Sequence, residues 1–146
     1  MSSSRIYPDR PILAVSAVVQ NQDKEILIVR RAVEPGIGLW SLPGGVVKLG
    51  ESVEQALRRE IREECGIEVK IGELLGVFDR IFRDKAGKVK YHYIILDYRC
   101  YSENKDVRPG SDADDYHWLN ESDLERFDYT PGVKELLKDF FKGEIS

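Results

Sequence analysis

This chain has few of the residues that build disulfide frameworks or zinc sites. Its 146 residues include two cysteines, Cys65 and Cys100, and two histidines, with no CxxC motif and no His/Cys cluster. Two cysteines cannot form the disulfide network of a small secreted protein, and zinc sites need closely spaced Cys and His ligands. We therefore expect neither a disulfide framework nor a zinc site, and we expect a cytoplasmic location.

Long apolar runs and an excess of positive charge are also missing. No run approaches the ~18–20 residues that span a bilayer, and the opening MSSSRIYPDR lacks the apolar core of a signal peptide. The net charge is −4, whereas nonspecific nucleic-acid binders usually carry a basic surface. We expect no membrane or nucleic-acid partner. The apolar fraction of 42% is instead typical of a globular domain with a real core.

The hydrophobic pattern predicts one α/β domain over residues 1–146, in which residues 1–10 form a flexible extension. Strands are predicted at 12–20, 25–31, 67–71, 74–82, 88–101 and around Trp118, the first two forming a hairpin across the turn 21–24. A helix should run from the N-cap Ser52 to Gly66, and a second should begin at Thr130-Pro131. The segment 32–50, rich in glycine and proline, is predicted to be a loop. Mixed strands with two helices predict an α/β sandwich.

The first predicted helix carries carboxylates on the face that it should bury. At about 100° per residue, Glu60 and Glu64 fall within an apolar stripe and Glu63 lies at its edge; the stripe consists of Val53, Ala56, Leu57 and Ile61. Buried carboxylates need protonation, arginine partners or a bound cation, since an unpaired buried charge costs several kcal/mol. Arg59 alone flanks the acidic edge and cannot neutralise three glutamates. Oxygen ligands at this spacing suit Mg²⁺ or Mn²⁺, but a solvated, charged helix face is an equal alternative on periodicity alone.

The loop before this helix adds a second, weaker signal. Gly44-Gly45 allow close backbone approach to a ligand, and a glycine-rich turn that leads into a helix is a common phosphate-binding arrangement. From Gly45 to Ile67 the chain reads G-x5-E-x7-R-E-U-x-E-E-x-G-U, where U is a bulky aliphatic residue. This segment resembles the Nudix box at every fixed position.

The resemblance implies a fold, a reaction and a cofactor. Nudix proteins are α/β/α sandwiches with a mixed β-sheet, and they hydrolyse the pyrophosphate bond of a nucleoside diphosphate linked to another group, using Mg²⁺ or Mn²⁺. By similarity, the metal ligands would be Glu60, Glu63, Glu64 and the backbone carbonyl of Gly44. Arg59 would hold the glutamates in place, and Glu51 would bond Arg59 or the loop. The general base in the family is either a box glutamate, here Glu63, or an acidic residue of a later loop.

Further catalytic and substrate-binding candidates lie outside the box. The segment SDADD offers Asp112, Asp114 and Asp115 as alternative bases, although a solvated turn also explains them. We favour Glu63 as the base and keep Asp112 and Asp115 as catalytic candidates. The candidates for substrate binding are Arg30, Arg31, Trp40, Phe78, Arg80 and Tyr91. Arg30 and Arg31 point to opposite sides of a strand, so that one could reach a phosphate while the other is solvated.

The substrate itself is not decided by the sequence. The ADP-ribose pyrophosphatase branch often carries a proline about sixteen residues after the box, and here Phe82, Arg83 and Asp84 occupy that region. Our first guess is nevertheless ADP-ribose or a related ADP-sugar. The alternatives are release of pyrophosphate from modified nucleoside triphosphates, and a non-catalytic nucleotide-binding module that regulates a partner. We expect a small-molecule nucleotide as the main partner and leave a homodimer open.

Overall fold

A computed structural model describes residues 5–143, and these contain seven β-strands, two α-helices and one 3₁₀ helix. The strands are β1 (Ile12–Gln20), β2 (Ile26–Arg31), β3 (Trp40–Ser41), β4 (Gly44–Val46), β5 (Lys70–Arg83), β6 (Val89–Tyr101) and β7 (Ala113–Leu119). The helices are α1 (Val53–Cys65) and α2 (Val133–Phe141), and the 3₁₀ helix, Glu121–Arg126, precedes α2. None of these helices is long and apolar enough to cross a bilayer.

β1 is the central strand of a mixed sheet. It pairs in parallel with β6 along its whole length and antiparallel with β4 on its other side, while β5 covers the outer edge of β6. β2 lies between β3 and β7. β1 and β2 meet only at the pair Gln20–Ile26, so the two strands diverge beyond this point. The divergence opens a space between the two groups of strands.

Helices cover both faces of the sheet. α1 buries Ala56, Leu57, Ile61 and Cys65 against one face, together with the β1 residues Val15, Ala17 and Val19. α2 and the 3₁₀ helix bury Leu124, Val133, Leu136, Leu137 and Phe140 against the other face, where Val18 points. Because successive strand residues point to opposite faces, β1 supplies side chains to both layers. The predicted α/β/α sandwich with a mixed sheet is confirmed.

Local signals set the ends of α1. The Ser52 hydroxyl accepts a hydrogen bond from the Gln55 amide at 3.1 Å, and the Gln55 side chain accepts one from the Ser52 amide at 2.8 Å. Gly66 ends the helix in the left-handed region at φ 67°, where its amide donates to the Arg62 carbonyl. The capping box and the glycine stop lie where the sequence predicts them.

Two assignments predicted from the sequence are wrong. Thr130 is not the N-cap of α2, because the helix begins at Val133. Its N-cap position is Gly132, at φ 86°, so no side chain caps the helix. The predicted strands 67–71 and 74–82 are one strand, β5, whose pairing with β6 is irregular between Ile71 and Gly76. The neighbouring strand β6 is long enough to pair with both segments, so the interruption becomes a shift in register rather than a break.

The segment 32–50, predicted to be a loop, contributes two short strands. In β4, Gly44 lies so close to β1 that a β-carbon on it would stand 2.0 Å from the Val15 carbonyl oxygen. Glycine weakens a strand by propensity, but here it allows a backbone approach that a side chain would prevent. The predicted hairpin between 12–20 and 25–31 retains only one residue pair, Gln20–Ile26. The rest of β2 pairs with β3 and β7 instead.

The first residues lie partly outside the described range. Residues 1–4 are not described, whereas the Tyr7 amide donates to the Lys90 carbonyl at 2.7 Å and the Tyr7 hydroxyl donates to Asp84 at 2.8 Å. These bonds join the segment before β1 to the β5–β6 hairpin. The flexible extension over 1–10 stays a prediction.

Candidate active site

A cavity of about 170 Å³ lies where β1 and β2 diverge. Its base is one face of the β1–β6–β5 sheet, where register places side chains side by side: Ser16 beside Asp97, and Tyr93 beside Arg80. Its opposite wall comes from Arg31 and the segment that contains Leu42, Gly44 and Gly45. The acidic face of α1 and the segment around Asp112 complete the lining.

Glu60 and Glu64 reach this cavity from α1. The Glu60 carboxylate packs on the backbone of Gly45, where an added β-carbon would lie 2.3 Å from the Glu60 carboxyl carbon. The Gly44 amide donates to Glu64 at 3.4 Å, a long hydrogen bond. Burial raises the pKa of Glu64 to about 8, and repulsion from Glu60 and Asp112 adds to this effect. Burial also raises the pKa of Glu60. Both carboxylates are thus poorly compensated by the protein itself.

Arg59 organises the acidic cluster from its edge. Its guanidinium donates two hydrogen bonds to Glu51, at 2.7 and 3.0 Å, and one to Glu60 at 2.7 Å. It also donates to the Val46 carbonyl at 3.0 Å, which ties α1 to β4. The paired guanidinium lowers the pKa of Glu51 to about 2. Arg59 and Glu51 therefore hold the cluster in position without lining the cavity.

The candidate bases occupy different surroundings. The Glu63 side chain is 59% exposed and accepts a hydrogen bond from Arg59 at 3.3 Å, outside the cavity lining. Asp112 lines the cavity and acts electrostatically on Glu64. Asp114 instead accepts a hydrogen bond from Arg30 at 2.6 Å, and the Asp115 carboxylate accepts one from the Tyr116 amide. The predicted loop location is wrong for Asp114 and Asp115, which lie on β7, and of the three candidate aspartates the structure brings Asp112 alone to the α1 carboxylates.

The cavity provides some of the oxygen ligands that a hard divalent cation needs. Glu60 and Glu64 offer carboxylate oxygens beside the Gly44-Gly45 backbone, and a cation would remove the electrostatic cost that raises both pKa values. Within residues 5–143, however, no three acidic, His or Cys side chains already converge on one point. Glu63 would have to leave Arg59 to join the ligands. Glu60 and Glu64, with the Gly44 carbonyl, are the residues that would hold a metal.

The structure separates the candidate substrate-binding residues into two groups. Arg31 and Arg80 line the cavity, and the Arg31 charge acts on Glu64. The other four candidates do not line it. Arg30 forms an ion pair with Asp114 and lies over the Trp40 ring. Trp40 packs edge-on against Phe127. Phe78 lies beneath the Arg80 guanidinium, and Tyr91 stacks on Tyr93. Their predicted contact with substrate gains no support from this placement.

Sequence reasoning missed several residues that line the cavity. Arg5, Ser16, Tyr93 and Asp97 all face it, and none belongs to a recognisable motif. One signal was available for Asp97, which interrupts the apolar run of YIILDY in β6. An acidic residue in such a run has to be paired or functional, because a buried charge is costly.

Comparisons with known proteins agree with this geometry. A family model for the NUDIX domain matches residues 10–140. An ADP-ribose pyrophosphatase of Methanocaldococcus jannaschii is 34% identical over 130 residues, which cover 88% of this chain and 74% of that protein. The nucleoside triphosphatase NudI of Escherichia coli is also 34% identical, over 131 residues that cover 85% of this chain and 92% of NudI.

Similarity in three dimensions covers the whole domain. The crystal structure of a MutT protein from Methanosarcina mazei superposes with a TM-score of 0.76 at 25% identity, covering 93% of this chain and 97% of that one. The range 10–140 that the family model matches includes α1 with its acidic cluster, the glycine turn and the strands that form the cavity. The complete box, the fold and the length of the family match together show that this chain belongs to the Nudix hydrolase family.

Proposed function

We propose that this protein uses Mg²⁺ or Mn²⁺ to hydrolyse the pyrophosphate bond of a nucleoside diphosphate linked to another group. The observation that carries the proposal is the meeting of two partly buried carboxylates, Glu60 and Glu64, with Arg31 and Arg80 around one cavity. Carboxylates that need a cation, next to cationic side chains that can bind phosphate, form a site for a metal-bound diphosphate.

The side chains would divide the work between binding and proton transfer. A bound divalent cation would polarise the phosphate oxygens and lower the pKa of a coordinated water. Arg31, near Glu64, would bind phosphate oxygens next to the cation. Asp112 would accept the proton of the attacking water, because its carboxylate faces the cavity whereas that of Glu63 is exposed and bonded to Arg59. This placement changes our preference from Glu63 to Asp112.

ADP-ribose or a related ADP-sugar is our first substrate, and a modified nucleoside triphosphate is the second. The Methanocaldococcus relative named an ADP-ribose pyrophosphatase supports the first. NudI, a nucleoside triphosphatase of equal identity of which the match covers 92%, supports the second. Hydrolysis would yield AMP and a sugar phosphate in the first case, and a monophosphate with pyrophosphate in the second.

Product analysis with a substrate panel tests the proposal. The panel contains ADP-ribose, ADP-glucose, dinucleoside polyphosphates and both canonical and modified nucleoside triphosphates, each with Mg²⁺ and with Mn²⁺. We expect turnover of at least one diphosphate compound, lost on addition of EDTA and reduced at least ~10²-fold in Glu64→Gln. Arg62→Gln is the matched control, since Arg62 points away from the cavity and bonds Glu68. Turnover that survives EDTA or Glu64→Gln would refute the metal assignment.

Metal binding can be measured without turnover. Mg²⁺ or Mn²⁺ that binds only the native state should raise the melting temperature with increasing concentration, and Glu64→Gln should weaken this response. A protein that binds nucleotides and metal but hydrolyses nothing would instead be the non-catalytic regulatory module. The single domain over 1–146, the cytoplasmic location and the homodimer stay predictions.

A further inference from the structure

Strand register shows which part of the cavity the segment before β1 reaches. Asp97 pairs with Ser16, and Ser16 pairs with Gly44, next to the acidic face of α1. Tyr93 lies four residues before Asp97 on β6, a distance of about 13 Å at ~3.3 Å per residue. Tyr93 pairs with Ile12, the first residue of β1. The chain that leads into β1 therefore lies on the Tyr93 side of the cavity.

Tyr7 fixes this leading segment to the β5–β6 hairpin. Its amide donates to the Lys90 carbonyl at 2.7 Å, and its hydroxyl donates to Asp84 at 2.8 Å. The Lys88 ammonium lies 4.9 Å from the centre of the Tyr7 ring. Tyr7 also has φ 49°, a left-handed conformation that turns the chain and that residues other than glycine rarely adopt. These contacts hold the turn in place, and Arg5, two residues earlier, lines the cavity.

Arg5 is one of three arginines that line the cavity without a carboxylate partner. Within residues 5–143, no ion pair is formed by Arg5, Arg31 or Arg80; the last two bond backbone carbonyls, at 2.6 and 2.9 Å. Burial raises the pKa of Glu60, and the charges of Arg59 and Arg5 oppose this effect. Cationic side chains that converge on one cavity repel one another, and an anion bound among them removes the repulsion. The three guanidinium groups are thus available to the anionic part of a ligand.

We propose that Arg5 binds phosphate oxygens of the substrate on the Tyr93 side of the metal site, and that Tyr7 positions it there. A guanidinium presents its N–H donors in a planar fork that matches two phosphate oxygens. Because Tyr7 fixes the chain two residues away, less conformational freedom is lost when Arg5 binds a ligand. The inference rests on the proposed function, because it assumes that the diphosphate lies beside Glu60 and Glu64. It makes the segment before β1 part of the binding site.

Calorimetric titration of two ligands in the presence of Mg²⁺ tests the contact without turnover. ADP carries a diphosphate and a base, whereas methylenediphosphonate carries two phosphoryl groups and no base. Arg5→Gln should raise the Kd of both ligands at least ~10-fold, because a charge-assisted contact to phosphate is lost. Arg5→Lys should raise both values less, because it keeps the charge and loses the fork.

Arg10→Gln is the matched control for the loss of one positive charge. Arg10 lies in the same segment, is largely exposed and pairs with Asp9 rather than lining the cavity. Solvent and salt screen such a charge, so both Kd values should stay within ~2-fold of those of the unaltered protein.

The positioning role of Tyr7 has a separate readout. Tyr7→Phe loses the hydrogen bond to Asp84 and should raise the Kd of ADP ~2–5-fold. In the Arg5→Gln background the same substitution should change the Kd by less than ~1.5-fold, because the side chain that it positions is gone. Equal effects of Tyr7→Phe in both backgrounds would overturn this role.

Unchanged Kd values in Arg5→Gln would overturn the phosphate contact itself. A loss of affinity for ADP alone would also overturn it, since Arg5 would then contact the base or ribose, and so would a failure of methylenediphosphonate to bind. An Arg5→Gln variant with unaltered KM for a hydrolysed substrate would contradict this inference and leave the proposed function intact. Binding of ADP that depends on Arg5, without hydrolysis of any compound of the panel, would refute the proposed function alone.

Discussion

The pH dependence of stability in Glu64→Gln tests the electrostatics of the site most directly. Burial raises the pKa of Glu64 from 4.5 to about 8 in the folded protein without metal. Between these two pH values the folded state holds a proton that the unfolded state releases, so the stability of the unaltered protein falls as pH rises. Glutamine does not titrate, and the variant therefore lacks this part of the pH dependence.

The magnitude follows from the two pKa values. A pKa change from 4.5 to about 8, at about 1.4 kcal/mol for each pH unit, sets an upper limit of about 5 kcal/mol. Structural relaxation and water entry reduce the cost of a buried charge, so we expect roughly 2–4 kcal/mol. Glu64→Gln should thus gain stability relative to the unaltered protein as pH rises from 4.5, and the gain should level off above pH 8.

Urea unfolding in EDTA, at half-unit steps between pH 5 and pH 9, measures this difference. The comparison is made between variant and unaltered protein at each pH, because Asp97, whose pKa burial raises to about 7, contributes to both. Glu63→Gln serves as the control, because it removes a carboxylate from the same helix at a position whose side chain is 59% exposed. A Glu64→Gln difference that does not change between pH 5 and pH 9 would show that Glu64 is not held in a desolvated environment.

Four further substitutions test the geometry of the site. Arg59→Lys keeps one charge but cannot make all the hydrogen bonds of the guanidinium, so kcat should fall ~10–100-fold and half-saturating Mg²⁺ should rise. Asp112→Asn should lower the single-turnover rate at least ~10²-fold at saturating Mg²⁺ if it is the base, whereas Asp114→Asn should cost less than ~10-fold; equal rates in the two variants would exclude this role. Gly45→Ala should displace the Glu60 carboxylate and lower kcat by ~10-fold or more, with little change in melting temperature.

The acidic face of α1 could be predicted from the sequence because helical periodicity acts over short distances. The spacing of Glu60 and Glu64 relative to Leu57 and Ile61 sets which way they point, whatever the rest of the chain does. The capping box at Ser52 and the stop at Gly66 are local in the same sense. The Nudix-box pattern identified the family, and the family in turn implied the fold and the general reaction.

Signals that depend on a partner element were less reliable. Thr130 and Pro131 have the residue types of a helix start, yet α2 begins at Val133, because Gly132 turns the chain first. The glycines of β4 read as a loop, although their closeness to β1 is what allows that strand to pair. In both cases tertiary contacts decided between local preferences that are individually weak.

The sequence by itself determined the family and the sandwich, and it predicted the α1 carboxylates that are proposed to hold a cation. Only the tertiary structure decided that Arg31 rather than Arg30 lines the cavity, that Asp112 is the candidate aspartate near α1, and that Asp97 lines the cavity beside Ser16. Ser16 and Asp97 are 81 residues apart and meet because β1 and β6 pair in parallel in one register. A shift of one residue would turn either side chain to the opposite face, and no short stretch of sequence specifies that register.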